Sequence, residues 1–307
     1  MIHDTHIVCF SCELLGMKLS IVIPTRWDQN MKNIIECLHH QTFKDFEVIF
    51  VVDKPLNGWN MLHDAWNIHY ITSLIHAIPH NNASALRNLW IKAAKGQFIQ
   101  LMDDDEWFDK DYLEKSLSLR NTYHVKLHKD IVITPTLMYR KTWNIQSQWF
   151  SHFSYLFSRP IPQHLWKKER EYIQMYSWNS LLAPWYIFKN NLFDEQLDFV
   201  YEDLDFTYRI HRAGYPLIVL RDLKIYHMER NKTKLEQAWI GNEYAAYRKA
   251  KHRMLFVKKY GNIWDKIQFY LLGFRGQPLW LISKVLRFAP AKDRWKLVKA
   301  IVRWTLA

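Results

Sequence analysis

Cysteine is scarce in this 307-residue chain: three residues, at positions 9, 12 and 37. An odd and sparse set supports no disulfide framework and points to a reducing compartment. Cys9 and Cys12 have the spacing of a redox or zinc pair. There is no second pair and no βαβ unit before them, so neither chemistry is assigned. Long apolar runs are missing too: nothing reaches the roughly 18 consecutive apolar residues of a membrane-spanning helix. The first residues lack the basic start and apolar stretch of a signal peptide. No internal repeat, low-complexity tract or nucleic-acid motif occurs, so a nucleic-acid partner is not expected.

What the chain does have is apolar and aromatic mass. The hydrophobic fraction is 49%, aromatics reach 16%, and there are 15 tryptophans. A sizeable core is possible, with aromatic surface left over for a groove or a membrane interface. The net charge is +12, unevenly placed. Residues 1–233 carry 26 charges of each sign, and the whole excess lies in 234–307, with 16 basic against 4 acidic residues. That is a local basic surface on a neutral body, not a basic protein throughout.

Residues 1–16 stand apart from the pattern that follows, and Met17 is a second candidate start. From Lys18 the sequence alternates in type. "LSIVIPT" is a β-branched run closed by Pro, a buried strand. Met31, Ile34, Ile35 and Leu38 then mark an amphipathic helix. "FEVIFVV" (46–52) is a second apolar strand, ending at Asp53. Strand, helix, strand at this spacing is a βαβ unit with a parallel sheet. A helix is predicted over 83–94, ended by Gly96 in the left-handed conformation. A strand over 97–102 follows. Further strands are expected at 131–138, 216–220 and 223–227, and a helix at 202–213 with acids in its first turn. Residues 142–180 read as a long aromatic loop, and loops of that length are usually functional.

The strand at 97–102 runs directly into Asp103, Asp104, Asp105 and Glu106. Four adjacent carboxylates repel one another unless something offsets them. In open α/β sheets ligands sit beyond the carboxyl ends of the strands, where this cluster and Asp53 both fall. If the segment is extended, Asp103 and Asp105 share a face. Two carboxylates there suit Mg²⁺ or Mn²⁺, with phosphate oxygens completing the shell.

Five stretches occur in order: "LSIVIPTRW", "QTFKDFEVIFVVD", "ALRNLWIKAAKGQFIQLMDDDEW", "YEDLDFTYRIHRAGY" and "IYH". This series resembles the family 2 glycosyltransferases of the GT-A fold, over roughly residues 18–230. The resemblance implies a Rossmann-like α/β fold, with a mixed, mostly parallel sheet flanked by helices. The implied activity is inverting transfer of a sugar from a UDP-, dTDP- or GDP-linked donor to a hydroxyl acceptor. That acceptor would be a cell-surface polysaccharide or lipid-linked glycan precursor. Pro24 and Thr25 would lie beside the nucleotide and Asp53 would bind the base, although "DKPLNG" departs from the usual continuation. Arg87 and Asn88 match the helix that approaches the nucleotide. Asp103 and Asp105 match the DxD motif, with Asp103 nearer the ribose and Asp105 on the metal; Asp104 between them would also bind the donor, and His227 would lie near the metal and diphosphate. Asp203 is the expected catalytic base, with Glu202 as the other candidate. Two alternatives stay open: a nucleotidyltransferase, which usually shows a Gly-rich loop where "PTRWDQN" has none, and a non-catalytic membrane-associated scaffold.

Three segments are thus expected: an N-terminal extension (1–17) that need not belong to the fold, a catalytic domain (18–233), and a basic helical extension (234–307). Within the extension, Lys292, Lys296, Lys299 and Arg303 fall on one helix face. Trp295, Val298, Ile301, Val302 and Trp304 occupy the remainder. A basic stripe flanked by aromatic and aliphatic residues describes a helix lying in a membrane interface. A cytoplasmic protein, peripheral on the inner membrane face, is the expectation.

Overall fold

The structure is a computed structural model, and it describes residues 7–9, 18–25, 30–52, 71–76, 82–140, 142–145, 149–154, 159–162, 170–177, 180–198, 200–227, 243–268, 282–283 and 285–305. The β-branched runs form strands β2 (Leu19–Thr25) and β3 (Phe46–Val52), joined through helix α1 (Asn30–His39). They pair in parallel in register from Leu19↔Phe46 to Thr25↔Val52. Strand β4 (Ile71–His76) extends the sheet beside β3. Beyond it lies a short edge strand, β1 (Ile7–Cys9), so part of the segment set apart in the sequence joins the sheet. Helix α2 (Ala83–Ala93) leads into β5 (Phe98–Leu101), which returns parallel to β2.

Past β5 come β6 (Glu106–Trp107), α3 (Tyr112–Leu127) and β7 (Val132–Tyr139). The expected loop of 142–180 instead contains β8 (Trp149–Ser154), β9 (Arg159–Pro162), β10 (Arg170–Ile173) and β11 (Met175–Tyr176). Strands β8, β9 and β11 make a separate three-stranded sheet. Tyr155, Phe157, Trp166 and Trp178 lie outside the described residues. Strand β12 (Leu181–Pro184), helix α4 (Trp185–Asn190), helix α5 (Glu202–Arg212) and strand β13 (Leu217–His227) complete the domain. The two strands expected at 216–220 and 223–227 are one, with a register shift between Leu220 and Lys224. The main sheet runs β1-β4-β3-β2-β5-β12-β7-β13-β10, with β6 paired to β13. Its centre is parallel except at β12, which runs antiparallel between β5 and β7.

Alternation along the strands builds a core on each face of this sheet. Leu19, Ile21 and Ile23 pack with Ile34, Leu38, Leu113 and Leu117 of α1 and α3. On the other face Val22, Ile49 and Ile99 pack with Trp90, Ile91, Ile187, Phe188 and Phe206 of α2, α4 and α5. The result is three layers, α on β on α.

Gly96 is not left-handed; among the described glycines only Gly214, just past α5, has positive φ, at 92°. Helix α2 stops at Ala93 without it. The reason for glycine is close approach: a Cβ at position 96 would lie 2.5 Å from the Ser20 nitrogen and 2.7 Å from the Leu19 carbonyl carbon. The Gly96 N–H donates to the Ser20 hydroxyl, which donates to the buried carboxylate of Glu47; Glu47 also accepts from the Lys95 N–H. This small polar cluster fixes where β5 begins, and so where the acidic run ends up.

Beyond 233, α6 (Glu243–Tyr260), α7 (Ile263–Gln268) and α8 (Ala291–Thr305) follow. Helix α6 packs its buried Phe256 and Val257 against Phe153, Tyr201 and Leu204. Leu297 and Ile301 of α8 are buried with Val285 and Ala289. The aliphatic side of α8 is therefore used inside the protein, while Lys292, Lys296 and Lys299 are exposed and Trp295 is 74% exposed. Among the described residues no helix is long and apolar enough to cross a membrane.

Candidate active site

The strand carrying the acids ends at Leu101, and residues 104–105 form a turn rather than an extension of the strand. The turn changes what the carboxylates do. Glu106 points inward and is completely buried. The Ser180 hydroxyl donates to one of its oxygens, and the Asp103 N–H donates to the other at 3.2 Å. A buried carboxylate needs such partners. Here they tie the turn to the first residue before β12. Burial pushes the Tyr112 hydroxyl well above its ordinary range, with the charge of Glu106 adding to the shift.

Asp105 goes the other way. Strand β6 pairs antiparallel with the end of β13, placing Glu106 opposite His227. The His227 Nε2 lies 3.1 Å from Asp105 Oδ2, across 122 positions of sequence. His227 is nearly buried, whereas the Asp105 side chain is 31% exposed. Asp105 and His227 thus form a carboxylate–imidazole pair at the carboxyl end of the sheet. Those donor types suit a divalent transition metal. Among the described residues no group of three His, Cys, Asp or Glu side chains is set to enclose a metal. A pair of protein ligands fits a cation that takes its remaining oxygens from phosphate and water.

The second group comes from α2 and α5. Arg87 and Glu202 form a 2.9 Å ion pair, with side chains 11% and 8% exposed. Burial opposes the charge on Arg87, but the carboxylates of Glu202, Asp103 and Asp203 outweigh it and hold the guanidinium ionised. The same field joins the two groups, since Arg87 senses both Asp103 and Asp203. Asp203 sits in the first turn of α5 and accepts from the Leu204 N–H at 2.9 Å. Burial, then the neighbouring charge of Glu202, pushes its carboxyl up to about 8, against partial relief from Arg87. The two neighbouring acids are thereby distinguished: Glu202 is paired with the Arg87 guanidinium, and Asp203 holds its proton more tightly than an ordinary carboxyl.

Three buried polar atoms here have no protein hydrogen-bond partner: the Tyr176 hydroxyl, Glu202 Oε2 and Arg87 Nε. Tyr176 is packed under the site, its hydroxyl raised well above the usual range by burial and by the charges of Glu106, Asp103 and Asp203. Thr207 of α5 fixes it by accepting its N–H and donating to its carbonyl.

Pro24 and Thr25 lie at the carboxyl end of β2, with Thr25 buried, and Asp104 occupies the turn. Asp53 lies outside the described residues. Asn88 is not turned to the cleft. Its amide donates to the Phe193 carbonyl and to Glu195, and accepts from the Phe193 N–H. It holds the loop after α4. Glu106, Ser180 and Tyr176 received no individual role in the sequence reading. Glu106 alone carried a signal, as a fourth acid directly before an aromatic.

Residues 20–171, about half of the chain, match the family described as glycosyl transferase family 2. Over 227 residues the chain is 24% identical to the putative colanic acid biosynthesis glycosyl transferase WcaA of Escherichia coli (strain K12), covering 71% of this chain and 75% of that one. It is 31% identical over 108 residues to the amylovoran biosynthesis glycosyltransferase AmsB of Erwinia amylovora, covering 34% of this chain and 36% of AmsB. The chain thus matches little more than a third of AmsB's length. The fold is similar to that of S. aureus TarS residues 1–349, solved in complex with UDP: TM-score 0.57, 16% identity, 94% of this chain and 92% of that chain. The same TarS fragment has been solved in complex with UDP-GlcNAc, at TM-score 0.57 and 17% identity.

Removing one member of the Arg87–Glu202 pair strands a buried charge. Arg87→Leu is expected to lower stability by about 3–5 kcal/mol, and Arg87→Leu with Glu202→Leu by much less. Urea unfolding of the three proteins measures this. Equal losses in the single and double variants would show that the pair is not a coupled unit.

Proposed function

The chain belongs to glycosyl transferase family 2, and we propose that it transfers a sugar from a nucleoside-diphosphate donor to a hydroxyl acceptor with inversion at the anomeric carbon. The acceptor class is a polysaccharide or lipid-linked glycan precursor, in keeping with the printed roles of WcaA and AmsB in colanic acid and amylovoran biosynthesis. One observation supports this reading: Arg87, paired with Glu202, feels the charges of both Asp203 and Asp103, and Asp103 lies two residues before the Asp105 that pairs with His227.

In this reading Asp203 accepts the proton of the acceptor hydroxyl. The freed oxygen attacks the anomeric carbon as the bond to the diphosphate breaks, and the nucleoside diphosphate leaves with the electron pair. One in-line displacement inverts the centre. Glu202, paired with Arg87, stands beside Asp203, and its charge raises the basicity of Asp203. Asp105 and His227, with Asp103 beside them, would hold Mn²⁺ or Mg²⁺. The cation would neutralise charge growing on the leaving diphosphate. Glu106 and Ser180 keep the turn in place. Pro24, Thr25 and Asp53 are assigned to the nucleotide by family resemblance. The UDP complexes of TarS make UDP the first nucleotide to try, before dTDP and GDP.

A thermal-shift screen tests donor binding. UDP with Mn²⁺ is expected to raise the melting temperature, by the linkage of binding to the native state. Asp105→Ala should lose the shift. If no nucleotide stabilises the folded wild type, with or without metal, the donor reading fails.

The pH profile tests the base. A carboxyl titrating at about 8 is inactive below that pH and active above it, so kcat/KM should rise through about 8 and level off. Asp203→Asn should cost about 10²–10⁴-fold in kcat. A profile flat from 6 to 9 would remove Asp203 from the role.

The exposed basic side of α8, with Trp295 among its lysines, supports peripheral attachment to an anionic membrane surface on the cytoplasmic side. Each lysine near such a surface contributes about 1 kcal/mol. Flotation with phosphatidylglycerol-containing vesicles should be lost in Lys292→Glu/Lys296→Glu/Lys299→Glu. Equal flotation of variant and wild type would exclude this face as the contact.

A further inference from the structure

Helix α6 does not stop at covering the domain; its polar side chains converge on the few residues that lead into α5. Arg248 donates to Asp198 Oδ2 at 2.5 Å. His252 is completely buried, with Nε2 3.0 Å from Asp198 Oδ1 and Nδ1 2.9 Å from the Val200 carbonyl oxygen. The Arg253 Nε–H donates to the Tyr201 hydroxyl at 2.9 Å. Two turns on, Lys259 bridges Asp194 and Asp205, and the Tyr260 hydroxyl also donates to Asp205. Phe256, between these groups, packs its ring at a tilt against those of Phe153, Tyr201 and Tyr208.

The target segment is unusual. Val200 and Tyr201 have φ of 65° and 75°, the left-handed region. For a β-branched residue followed by an aromatic this is strained, and such backbone persists only where its surroundings over-determine it. The strain has a consequence for direction. Tyr201 is the residue from which α5 starts, with no side-chain cap, and Glu202 and Asp203 come next. Relaxation of either residue toward ordinary φ would re-aim both acids. The opposite side of the segment is also tied down: the Ala83 N–H donates to the Asp198 carbonyl and the Ser84 hydroxyl to that of Leu197. The left-handed turn is therefore held between α2 and α6.

We infer that His252, supported by Arg248 and Arg253, is a positioning residue: by holding the Val200 carbonyl it fixes the turn that sets Glu202 on Arg87 and Asp203 at the acceptor. This rests on Asp203 being the base, as proposed above. It assigns a role in the chemistry to a helix that lies beyond the segment covered by the family match.

Three full-length variants test it: His252→Ala, His252→Asn and His252→Gln. Asparagine can place an amide N–H where Nδ1 sits, facing Val200. Glutamine reaches toward the Nε2 position, facing Asp198. Hydrogen exchange of amides 200–206 reads the turn directly, and kcat against donor KM reads its effect. In His252→Ala, protection at 200–206 should fall while the central strands keep theirs. Its kcat should drop on the order of 10²-fold, the scale of a misplaced catalytic group, with donor KM little changed. His252→Asn should recover both readouts more fully than His252→Gln. The inference is overturned if protection falls equally across the sheet, if kcat survives the loss of protection, or if glutamine rescues as well as asparagine. Should the wild type transfer no sugar at all, the functional reading fails, while exchange in the same variants still decides whether His252 holds the turn.

Discussion

The ion pair between Arg87 and Glu202 is the contact around which the site is arranged. It joins the middle of α2 to the first residue of α5, both on the same face of the sheet. Two charges at this depth give little net stability, because desolvation offsets most of their attraction. What the pair supplies is asymmetry. Glu202 is paired with a guanidinium, and its charge falls on Asp203 next door. Two acids adjacent in sequence are thereby given different electrostatic environments.

The rest of the cleft manages repulsion. Asp103, Asp104, Asp105 and Glu106 follow one another at a sheet edge. The structure separates them by turning the chain at 104–105, so that Glu106 goes down to Ser180 and Asp105 goes across to His227. A cation at Asp105 would add to this separation rather than create it. The buried atoms still without protein partners, on Tyr176, Glu202 and Arg87, cluster in the same region. Unpaired polar groups are costly in a core and are expected where a ligand or ordered water completes the set.

How much of this could be read from the sequence depends on range. The strand 19–25 and the helix opening at Glu202 are local patterns, β-branched run and acidic first turn, and their boundaries were legible within a residue or two. Gly96 was legible as special but for the wrong reason. Helix-end statistics favour a left-handed glycine, whereas the actual constraint is the backbone of β2, 76 positions away at Ser20. Asn88 lies beside Arg87 in the motif, yet its neighbour in space is Phe193, which no periodicity reveals. The Asp105–His227 contact came within reach only through family resemblance, because register between β6 and β13 is set by tertiary packing. The docking of α6 is likewise set by tertiary packing. A basic amphipathic helix looks identical in sequence whether its partner is a membrane or the protein's own Asp198.

The raised carboxyl of Asp203 also has a stability consequence. Its folded-state value of about 8 lies above the ordinary 3.8, so the native state holds this proton more tightly than the unfolded chain does. The favourable contribution is complete below about 4 and is lost progressively as pH rises toward 8. The rise in pH that ionises Asp203, as the proposed base requires, thus also removes its contribution to the fold. Such a group needs a scaffold that does not yield when it ionises. The surrounding contacts meet that need from three sides: Arg87 from α2, Thr207 linking α5 to Tyr176, and the side chains of α6 gripping the turn at Val200–Tyr201. Their common effect is to prevent the two acids from relieving their repulsion by moving apart, which preserves the basicity of Asp203.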